Sequence, residues 1–466
     1  MIQYFKVISH MLFEEMEFNS FDDAEQNARK AYELYEDGKI LQALNELDNA
    51  IEINPANSSW HFNKALALDT ANKFDDAIEE YQAALQLNPN DLETLNSLAV
   101  DYTRIGHYDL GIKTFEYIEQ LDSGFEPCYC NRIITYTEMG KHDLAEQMFY
   151  LAQQIDPDCP LCFYNIGNSL FVRGEYNKAV HCWTKTAELE PTHPQINYRI
   201  AQAYWACGNG EKARAYFLAE LRKNPGDIDI IHDFGLFLLE FGDIDAAKEK
   251  FNRILEFNPD FAPALFYLGE IAFKNEDYEK AKELYNQALI IDSMLAGARY
   301  RLAQYALMNG HEEKAKAYLV SELELASEDA DIYVSIGSML LKLGELNLAT
   351  HALLKALEFD YAHADAYYYL ALARMWKGVY DEADEFFTNT LDINPDHLQA
   401  LRDSAILNMA SGKARQAEEK IKKAMSLADD DVQLKGVYRK IRRAKTAQQI
   451  TGIFSRFKLH ISKAKR

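Results

Sequence analysis

The sequence predicts an all-α solenoid built from stacked helix-turn-helix units. Three spacings predict it: an alanine recurs every 34 residues, a second small residue lies twelve positions before it, and a glycine lies five positions before it in ten of the twelve repeats. A fixed period of this length, kept without insertion, is typical of arrays in which each unit packs against its neighbours. The recurring positions are Ala43, Ala77, Gly111, Ala145, Ala179, Ala213, Ala247, Ala281, Ala315, Ala349, Ala383 and Ala417.

Each repeat is predicted to contain two helices in a fixed order. The first helix carries a small residue, such as Gly167, and ends at a glycine in the left-handed conformation, such as Gly174. The second helix carries the recurring alanine and, four residues later, a bulky side chain such as Trp183. A proline such as Pro191 stops this helix in seven repeats. Small residues let the two helices approach to about 8 Å, and the bulky side chain fills the space beside them.

These positions resemble the signature of the tetratricopeptide repeat family. The resemblance is clearest in two repeats, Phe163-x2-Ile166-Gly167-x2-Leu170 with Ala179-x3-Trp183 and Pro191, and Ile231-x2-Phe234-Gly235-x2-Leu238 with Ala247-x3-Phe251 and Pro259. It covers residues 24–431 as twelve tandem repeats of 34 residues. The resemblance implies a right-handed superhelix whose first helices line a concave groove. It also implies a non-enzymatic scaffold for protein–protein interaction that binds extended peptide or protein partners in this groove.

Short segments remain at both ends of the array. Residues 1–23 are predicted to form an N-terminal capping helix and residues 432–448 a C-terminal one, because an open repeat end needs a polar cap. Residues 449–466 are predicted to form a basic amphipathic tail. These segments are too short for a catalytic domain, and no phosphate-binding or zinc-protease motif is present. We therefore predict neither enzymatic activity nor a cofactor.

The tail at 449–466 leaves several functions open. Its apolar residues fall at helical spacing among basic ones, and the contact candidates are Phe454, Arg456, Phe457 and Lys458. Such a segment can lie on an anionic membrane, so a peripheral membrane tether or assembly factor is an alternative to the scaffold. It can also dock on a partner protein, fold onto the chain's own groove, or simply extend the C-terminal cap.

Charge is distributed unevenly along the chain. The formal net charge is −24, and the residues after Asp431 include eleven Lys and Arg and no acid, so residues 1–431 carry −35. An acidic array repels phosphate backbones, which argues against nucleic acid in the groove and favours neutral to basic peptides. The alternative is that the charge serves solubility alone. The six cysteines lack disulfide-type spacing and the chain lacks an export signal, which together predict a cytoplasmic protein. The sequence leaves the oligomeric state undetermined.

The groove lining is predicted from the helical period. In each first helix, repeat positions 4, 7, 8 and 11 face the second helix, which places positions 2, 5, 6, 9, 12 and 13 on the opposite side. One motif, Tyr-Arg-x2-Gln, occurs twice at an interval of three repeats, which indicates either duplication of repeat triplets or a periodic extended ligand. The predicted partner-binding residues are Asn63, Asn131, Tyr164, Asn165, Asn168, Tyr198, Arg199, Gln202, Phe266, Tyr267, Tyr300, Arg301, Gln304, Tyr368 and Tyr369.

Four cysteines cluster in the fourth and fifth repeats, at Cys128, Cys130, Cys159 and Cys162. Four thiolates could bind zinc, and Cys159 at a helix start is also a candidate for thiol-redox chemistry. Against zinc, Cys128 and Cys162 occupy the same position of successive repeats, so we expect them to lie roughly 10 Å apart. Buried structural cysteines are the favoured interpretation, with no metal bound, and a zinc-binding or thiol-redox protein is a further alternative.

Overall fold

The computed structural model of the protein describes residues 23–325, 329–428 and 431–446, and all regular secondary structure within these ranges is helical. The chain divides into two compact units, Met1–Phe237 and Leu238–Arg466. Each unit is a stack of helical hairpins, and within a unit the odd-numbered helices pack against the even-numbered helices that follow them. We call the odd-numbered helices the first helices. The fold is an all-α helical repeat solenoid, as the spacing predicts.

The first unit contains six hairpins and most of a seventh first helix, which continues to Glu240. Its helices are α1 Asp23–Glu36, α2 Ile40–Ile53, α3 Ser58–Thr70, α4 Phe74–Leu87, α5 Leu92–Arg104, α6 Tyr108–Leu121, α7 Glu126–Glu138, α8 His142–Ile155, α9 Pro160–Val172, α10 Tyr176–Leu189, α11 Ile196–Ala206, α12 Gly210–Lys223 and α13 Ile228–Glu240. Wherever a proline closes a repeat in this unit, the second helix ends two residues before it.

The second unit continues the same alternation. Its helices are α14 Ile244–Phe257, α15 Ala262–Lys274, α16 Tyr278–Ile291, α17 Ala298–Met308, α18 Glu312–Leu323, α19 Ala330–Lys342, α20 Leu346–Phe359, α21 Ala364–Trp376, α22 Tyr380–Ile393, α23 Leu398–Ala410, α24 Ala414–Leu427 and α25, which covers residues 432–446. Two first helices, α11 and α17, contain 11 residues where the others in these hairpins contain 13 or 14. Both follow a residue with positive φ, Gln195 and Gly297 respectively.

The turns inside the hairpins have the conformation that the glycine spacing predicts. All ten glycines at this position have positive φ, and Gly174 shows the hydrogen bonding of a Schellman motif. Its amide donates to the carbonyl of Phe171, and the amide of Glu175 donates to the carbonyl of Leu170. Asn72 and Glu276 replace glycine in the other two repeats and adopt the same left-handed conformation, with φ of 58° and 62°. The hairpin geometry therefore imposes this conformation even on residues with a Cβ atom.

The crossing points of the helices also agree with the sequence prediction. Every recurring alanine is buried, and so are the bulky residues four positions later. Gly167 faces Trp183 so closely that a Cβ atom on the glycine would lie 2.5 Å from the indole Nε1. Gly269 faces Tyr285 in the same way, with a corresponding distance of 2.6 Å to Cε1. A ring of the second helix thus occupies the space that a larger residue on the first helix would need.

We expect Gly167→Ala to destabilise the protein by about 1 to 2 kcal/mol. Overpacking against the buried Trp183 costs about 1 to 3 kcal/mol, and the better helix propensity of alanine offsets up to about 1 kcal/mol of it. Gly436 in α25 is the matched control, because a Cβ atom there would meet nothing within 4 Å. Gly436→Ala should therefore stabilise the protein slightly. Urea denaturation measures both free energies, and changes of the same sign would contradict the assigned packing.

Helix α25 covers the end of the second unit. Leu434 and Ile441 are buried in one cluster with residues of α23 and α24, among them Leu401 and Ile421. Val432, at the first turn of the helix, is 81% exposed. The predicted N-terminal cap lies, apart from residue 23, outside the described residues, as does the tail at 449–466. Within the described ranges, no helix is long and apolar enough to cross a membrane.

Candidate functional site

The predicted groove residues of the first unit share one face of the first helices. They occupy repeat positions 5, 6 and 9, and none of them is exposed. Asn165 is buried, and the others are half-buried at the margin of the hydrophobic core. The half-buried members are Asn63, Asn131, Tyr164, Asn168, Tyr198, Arg199 and Gln202.

Several of these side chains connect one first helix to the next. Asn131 Nδ2 donates to Asn96 Oδ1 at 3.0 Å, linking α7 to α5. Asn165 Nδ2 donates to the carbonyl of Cys130 at 3.2 Å, linking α9 to α7. Because both amides already bind a neighbouring first helix, they contribute to holding successive repeats together.

The most extended network of the first unit surrounds Asp233 of α13. The Tyr198 hydroxyl donates to Asp233 Oδ2 at 2.6 Å, and Gln202 Nε2 donates to the same oxygen at 3.2 Å. Burial raises the pKa of Asp233, but hydrogen bonds from His232, Tyr198 and Gln202 outweigh it and lower the pKa below its ordinary value. Asp233 is therefore ionised at neutral pH. Burial and the neighbouring Asp233 raise the pKa of the Tyr198 hydroxyl, which stays a neutral donor.

The second unit contains the related motif in α17. Arg301 Nε donates to Glu270 Oε1 of α15 at 2.7 Å, and Arg301 Nη1 donates to Gln304 Oε1 at 2.8 Å. Gln304 Nε2 in turn donates to the Tyr300 hydroxyl at 3.0 Å. The Tyr285 hydroxyl also donates to Glu270 Oε1, at 2.6 Å. Glu270 thus connects Arg301 of the following repeat to the buried Tyr285 of its own hairpin.

The remaining aromatic candidates contribute largely to packing. The Tyr368 ring is buried, and its hydroxyl donates to Asp403 Oδ2 at 2.9 Å. Phe266 and Tyr267 meet edge to face with centroids 5.2 Å apart, and Tyr267 stacks on Phe251. Tyr369 is half-buried beside Tyr368.

Sequence reasoning missed the carboxylates that complete these networks, Asp233, Glu270 and Asp403. Tyr198 and Tyr368 each contact an aspartate 35 residues later, which is position 6 of the following repeat. A search of the sequence for pairs of polar residues one repeat length plus one residue apart would have found both of these tyrosine–aspartate pairs.

A second candidate site lies where the first turns of α7 and α9 meet. One oxygen of Glu126 and the sulfur atoms of Cys130, Cys159 and Cys162 all lie within 4.8 Å of one another. The three cysteines are buried and Glu126 is half-buried. Within the part of the chain that the structure describes, this is the one such group that could hold a metal ion.

Local helix geometry positions the four side chains of this cluster. Glu126 and Cys130 are four residues apart on α7 and share a face. Cys159 caps α9, and its sulfur accepts a hydrogen bond from the amide of Cys162 at 3.3 Å. The Cys162 thiol donates to Glu126 Oε1 at 2.8 Å. Asn165 Nδ2 lies 3.4 Å from Cys130 Sγ as a further donor.

Cys128, which the sequence-based zinc alternative included, does not join the cluster. It is only two residues from Cys130 on α7, so the two side chains point to different sides of the helix. The Cys128 thiol donates to the carbonyl of Phe115 at 3.2 Å instead. Glu126 is the fourth member of the cluster instead. Its spacing of four residues from Cys130, which places both side chains on one face of the helix, is the sequence signal that could have identified it.

The cluster perturbs the acidity of its members. Burial raises the pKa of Glu126 to about 8 and raises the pKa of the Cys130 thiol. Hydrogen bonds from Cys130 and Cys162 lower the pKa of Cys159 below the ordinary value of a thiol. The same interactions with Cys130 and Cys159 raise the pKa of Cys162.

Family models match this chain in several places. Tetratricopeptide repeat models match residues 28–91, 164–228, 330–363 and 365–397. The chain is a tetratricopeptide repeat protein. The model for the middle TPR-like domain of cilia and flagella-associated protein 70 matches residues 198–300 of this tetratricopeptide repeat protein. These repeats support a role as a protein-interaction scaffold.

Among curated proteins, the comparison gives no significant match to this tetratricopeptide repeat protein. Among solved structures, the chain is similar to the APC/C hetero-tetramer Cut9–Hcn1, at 12% identity and a TM-score of 0.44. The match covers 93% of this chain and 98% of that chain. Yeast Tom70 matches at 13% identity and a TM-score of 0.42, over 92% and 96% of the two chains. YrrB, a TPR protein with an unusual peptide-binding site, matches at 23% identity and a TM-score of 0.36, over 43% and 99%.

The predicted tail contacts lie outside the described residues. They are Phe454, Arg456, Phe457 and Lys458. Next to them in sequence, α25 carries Arg439, Lys440, Arg442 and Arg443, all of which are exposed.

Proposed function

We propose that this tetratricopeptide repeat protein binds an extended, neutral to basic polypeptide along the face formed by its first helices. The observation that supports this function most strongly is the recurrence of one polar arrangement in the two units. In each unit, a Gln donates to the hydroxyl of the Tyr one helical turn before it, and both side chains are half-buried. Tyr198 and Gln202 also donate to Asp233 of the following first helix, whereas Gln304 is linked through Arg301 to Glu270 of the preceding first helix. These side chains lie on the face of the first helices that the helical period predicts to line the groove.

This arrangement suits the chemistry of a peptide backbone. An extended peptide presents alternating N–H and C=O groups, and the side-chain amides of Gln and Asn can pair with both. Tyrosine adds a large contact area with little conformational freedom to lose. Because the side chains of Tyr198 and Gln202 already hold each other in place, binding costs less side-chain entropy than it would for free rotamers.

Charge supports the choice of a neutral to basic partner. Residues 1–431 carry a formal charge of −35, and the face itself contains the ionised Asp233. Such a potential speeds the association of cationic peptides and disfavours acidic ones. Arg301 does not reverse this local sign, because Glu270 pairs with it.

A peptide library displayed on phage and selected against the purified full chain tests the proposal. We expect enriched peptides to be rich in Lys and Arg, and to lose at least tenfold in affinity for a quadruple alanine variant of the face. The variant replaces Tyr198, Arg199, Tyr300 and Arg301. The matched control replaces two tyrosines and two arginines that are exposed elsewhere, Tyr150, Tyr361, Arg29 and Arg415.

Circular dichroism and the melting temperature check that both variants keep the fold. A milder variant, Gln202→Ala with Gln304→Ala, leaves every charge in place and should still weaken binding. Equal affinity of the selected peptides for wild type, both face variants and the control would contradict the assignment of this face. Selection of acidic peptides would contradict the predicted charge of the partner.

A further inference from the structure

We propose that Glu126, Cys130, Cys159 and Cys162 form a structural zinc site that joins α7 to the N-terminus of α9. The site is independent of the peptide-binding function, and its ligand set differs from the four cysteines that the sequence indicates. Three observations support this site: the ligand atoms converge, their chemistry suits zinc, and hydrogen bonds already orient two of the sulfur atoms.

The ligand atoms converge closely enough for one ion. In a tetrahedral site with Zn–S bonds of about 2.3 Å, the ligand atoms lie about 3.8 Å apart. The four atoms here all lie within 4.8 Å of one another, so a contraction of about 1 Å at most completes the tetrahedron. Cys159 and Cys162 have the Cys-x2-Cys spacing common in structural zinc sites. Glu126 and Cys130 supply the second pair from a single helical face.

The donor chemistry selects zinc among common divalent ions. Three thiolates with one carboxylate favour a borderline-soft ion that accepts tetrahedral geometry, whereas magnesium and calcium require more oxygen ligands. Four protein ligands leave no open position for water or substrate, so the site is structural and not catalytic. When zinc is bound and all four ligands are deprotonated, the ligand set carries four negative charges. Glu126 and Cys159 lie at the N-termini of α7 and α9, where the helix dipole favours negative charge.

Hydrogen bonds of the protein already hold two of the sulfur atoms in place. The amide of Cys162 donates to the sulfur of Cys159, and the side-chain amide of Asn165 lies in hydrogen-bond reach of Cys130 Sγ. Donors of this kind orient ligands and stabilise bound thiolates in metal sites. Asn165 also binds the carbonyl of Cys130, so the ion would fix two successive first helices at the same point where the protein links them.

The buried cysteine that the structure leaves out of the site provides an internal control. Cys128 lies on α7 like Cys130, is fully buried, and donates to a backbone carbonyl. A serine at residue 128 can keep that hydrogen bond. Cys128→Ser therefore removes one buried thiol of the same helix without touching the proposed ligands.

The test uses the reduced full-length chain with Zn²⁺ and with Co²⁺ as a spectroscopic probe. We expect about one zinc per chain by elemental analysis, and for Co²⁺ the intense visible bands of a tetrahedral site with thiolate charge transfer in the near ultraviolet. Cys130→Ser, Cys159→Ser and Cys162→Ser should each weaken or abolish the charge-transfer band, while Cys128→Ser keeps it. Glu126→Gln should keep thiolate charge transfer but lower zinc affinity by roughly tenfold or more.

A measurement on the unmodified chain covers the case in which a serine variant fails to fold. Alkylation followed by mass spectrometry should show that Zn²⁺ protects Cys130, Cys159 and Cys162, while the exposed Cys207 reacts with or without the ion. The proposal is overturned by a chain that binds no zinc, by equal loss in Cys128→Ser and Cys159→Ser, or by a Cys159–Cys162 disulfide in place of the metal. Unchanged zinc affinity in Glu126→Gln would overturn the assignment of the fourth ligand.

Discussion

Trp183→Ala is expected to lower the free energy of unfolding by about 3 to 5 kcal/mol, the usual cost of truncating a large buried ring. The indole of Trp183 is 1% exposed and fills the crossing point of α9 and α10 against Gly167. Its Nε1 donates to the carbonyl of Tyr164 at 3.2 Å, and its ring lies 5.5 Å from that of Phe171. The substitution leaves a cavity beside a glycine, which has no side chain to fill it.

Trp376 is the matched control for this prediction. It lies at the end of the first helix α21, whereas Trp183 belongs to a second helix, and it is 52% exposed. We expect Trp376→Ala to change the free energy of unfolding by about 0.5 kcal/mol or less, as is usual for surface substitutions. Urea denaturation followed by circular dichroism compares the two variants. Similar losses in both would mean that the crossing point does not carry the stability assigned to it.

Ala247→Leu is expected to destabilise the protein by about 1 to 3 kcal/mol through overpacking. Ala247 is the recurring alanine of α14, is fully buried, and lies four residues before the equally buried Phe251. A leucine adds three carbon atoms at a position where the alanine side chain has no exposed surface. Unlike Gly167→Ala, this change brings no gain in helix propensity, because alanine is the best helix former.

Ala410 provides the control for added volume, since it is an exposed alanine in helix α23 of the same unit. Ala410→Leu should leave the melting temperature nearly unchanged. If the melting temperature fell as much in Ala410→Leu as in Ala247→Leu, the added leucine itself, and not its buried position, would be the cause of the lower stability.

The helices and turns could be predicted because their signals are local and repeat. A glycine position needs left-handed φ whatever surrounds it, and Asn72 and Glu276 adopt that conformation where glycine is missing. Burial of Ala247 or Trp183 follows from periodicity, because every repeat packs against copies of the same surface.

The candidate sites were only partly predictable, since their geometry depends on which side chains of different repeats meet. The positions of the groove residues on the first helices follow from the helical period, but their hydrogen bonds to Asp233, Glu270 and Asp403 do not. These contacts depend on how far one first helix is displaced along the next. Neither composition nor spacing within a single repeat contains that displacement.

The all-helical repeat architecture, the hairpin turns and the small residues at the crossings follow from the sequence alone, because the same local signals recur with a strict period of 34 residues. Which atoms converge between repeats depends on the folded chain. In the folded chain, the side chain of Cys128 points away from the cluster, and Glu126 lies beside Cys130, Cys159 and Cys162. The physical reason is that successive residues of a helix are rotated by about 100°, so proximity in sequence does not give a shared direction.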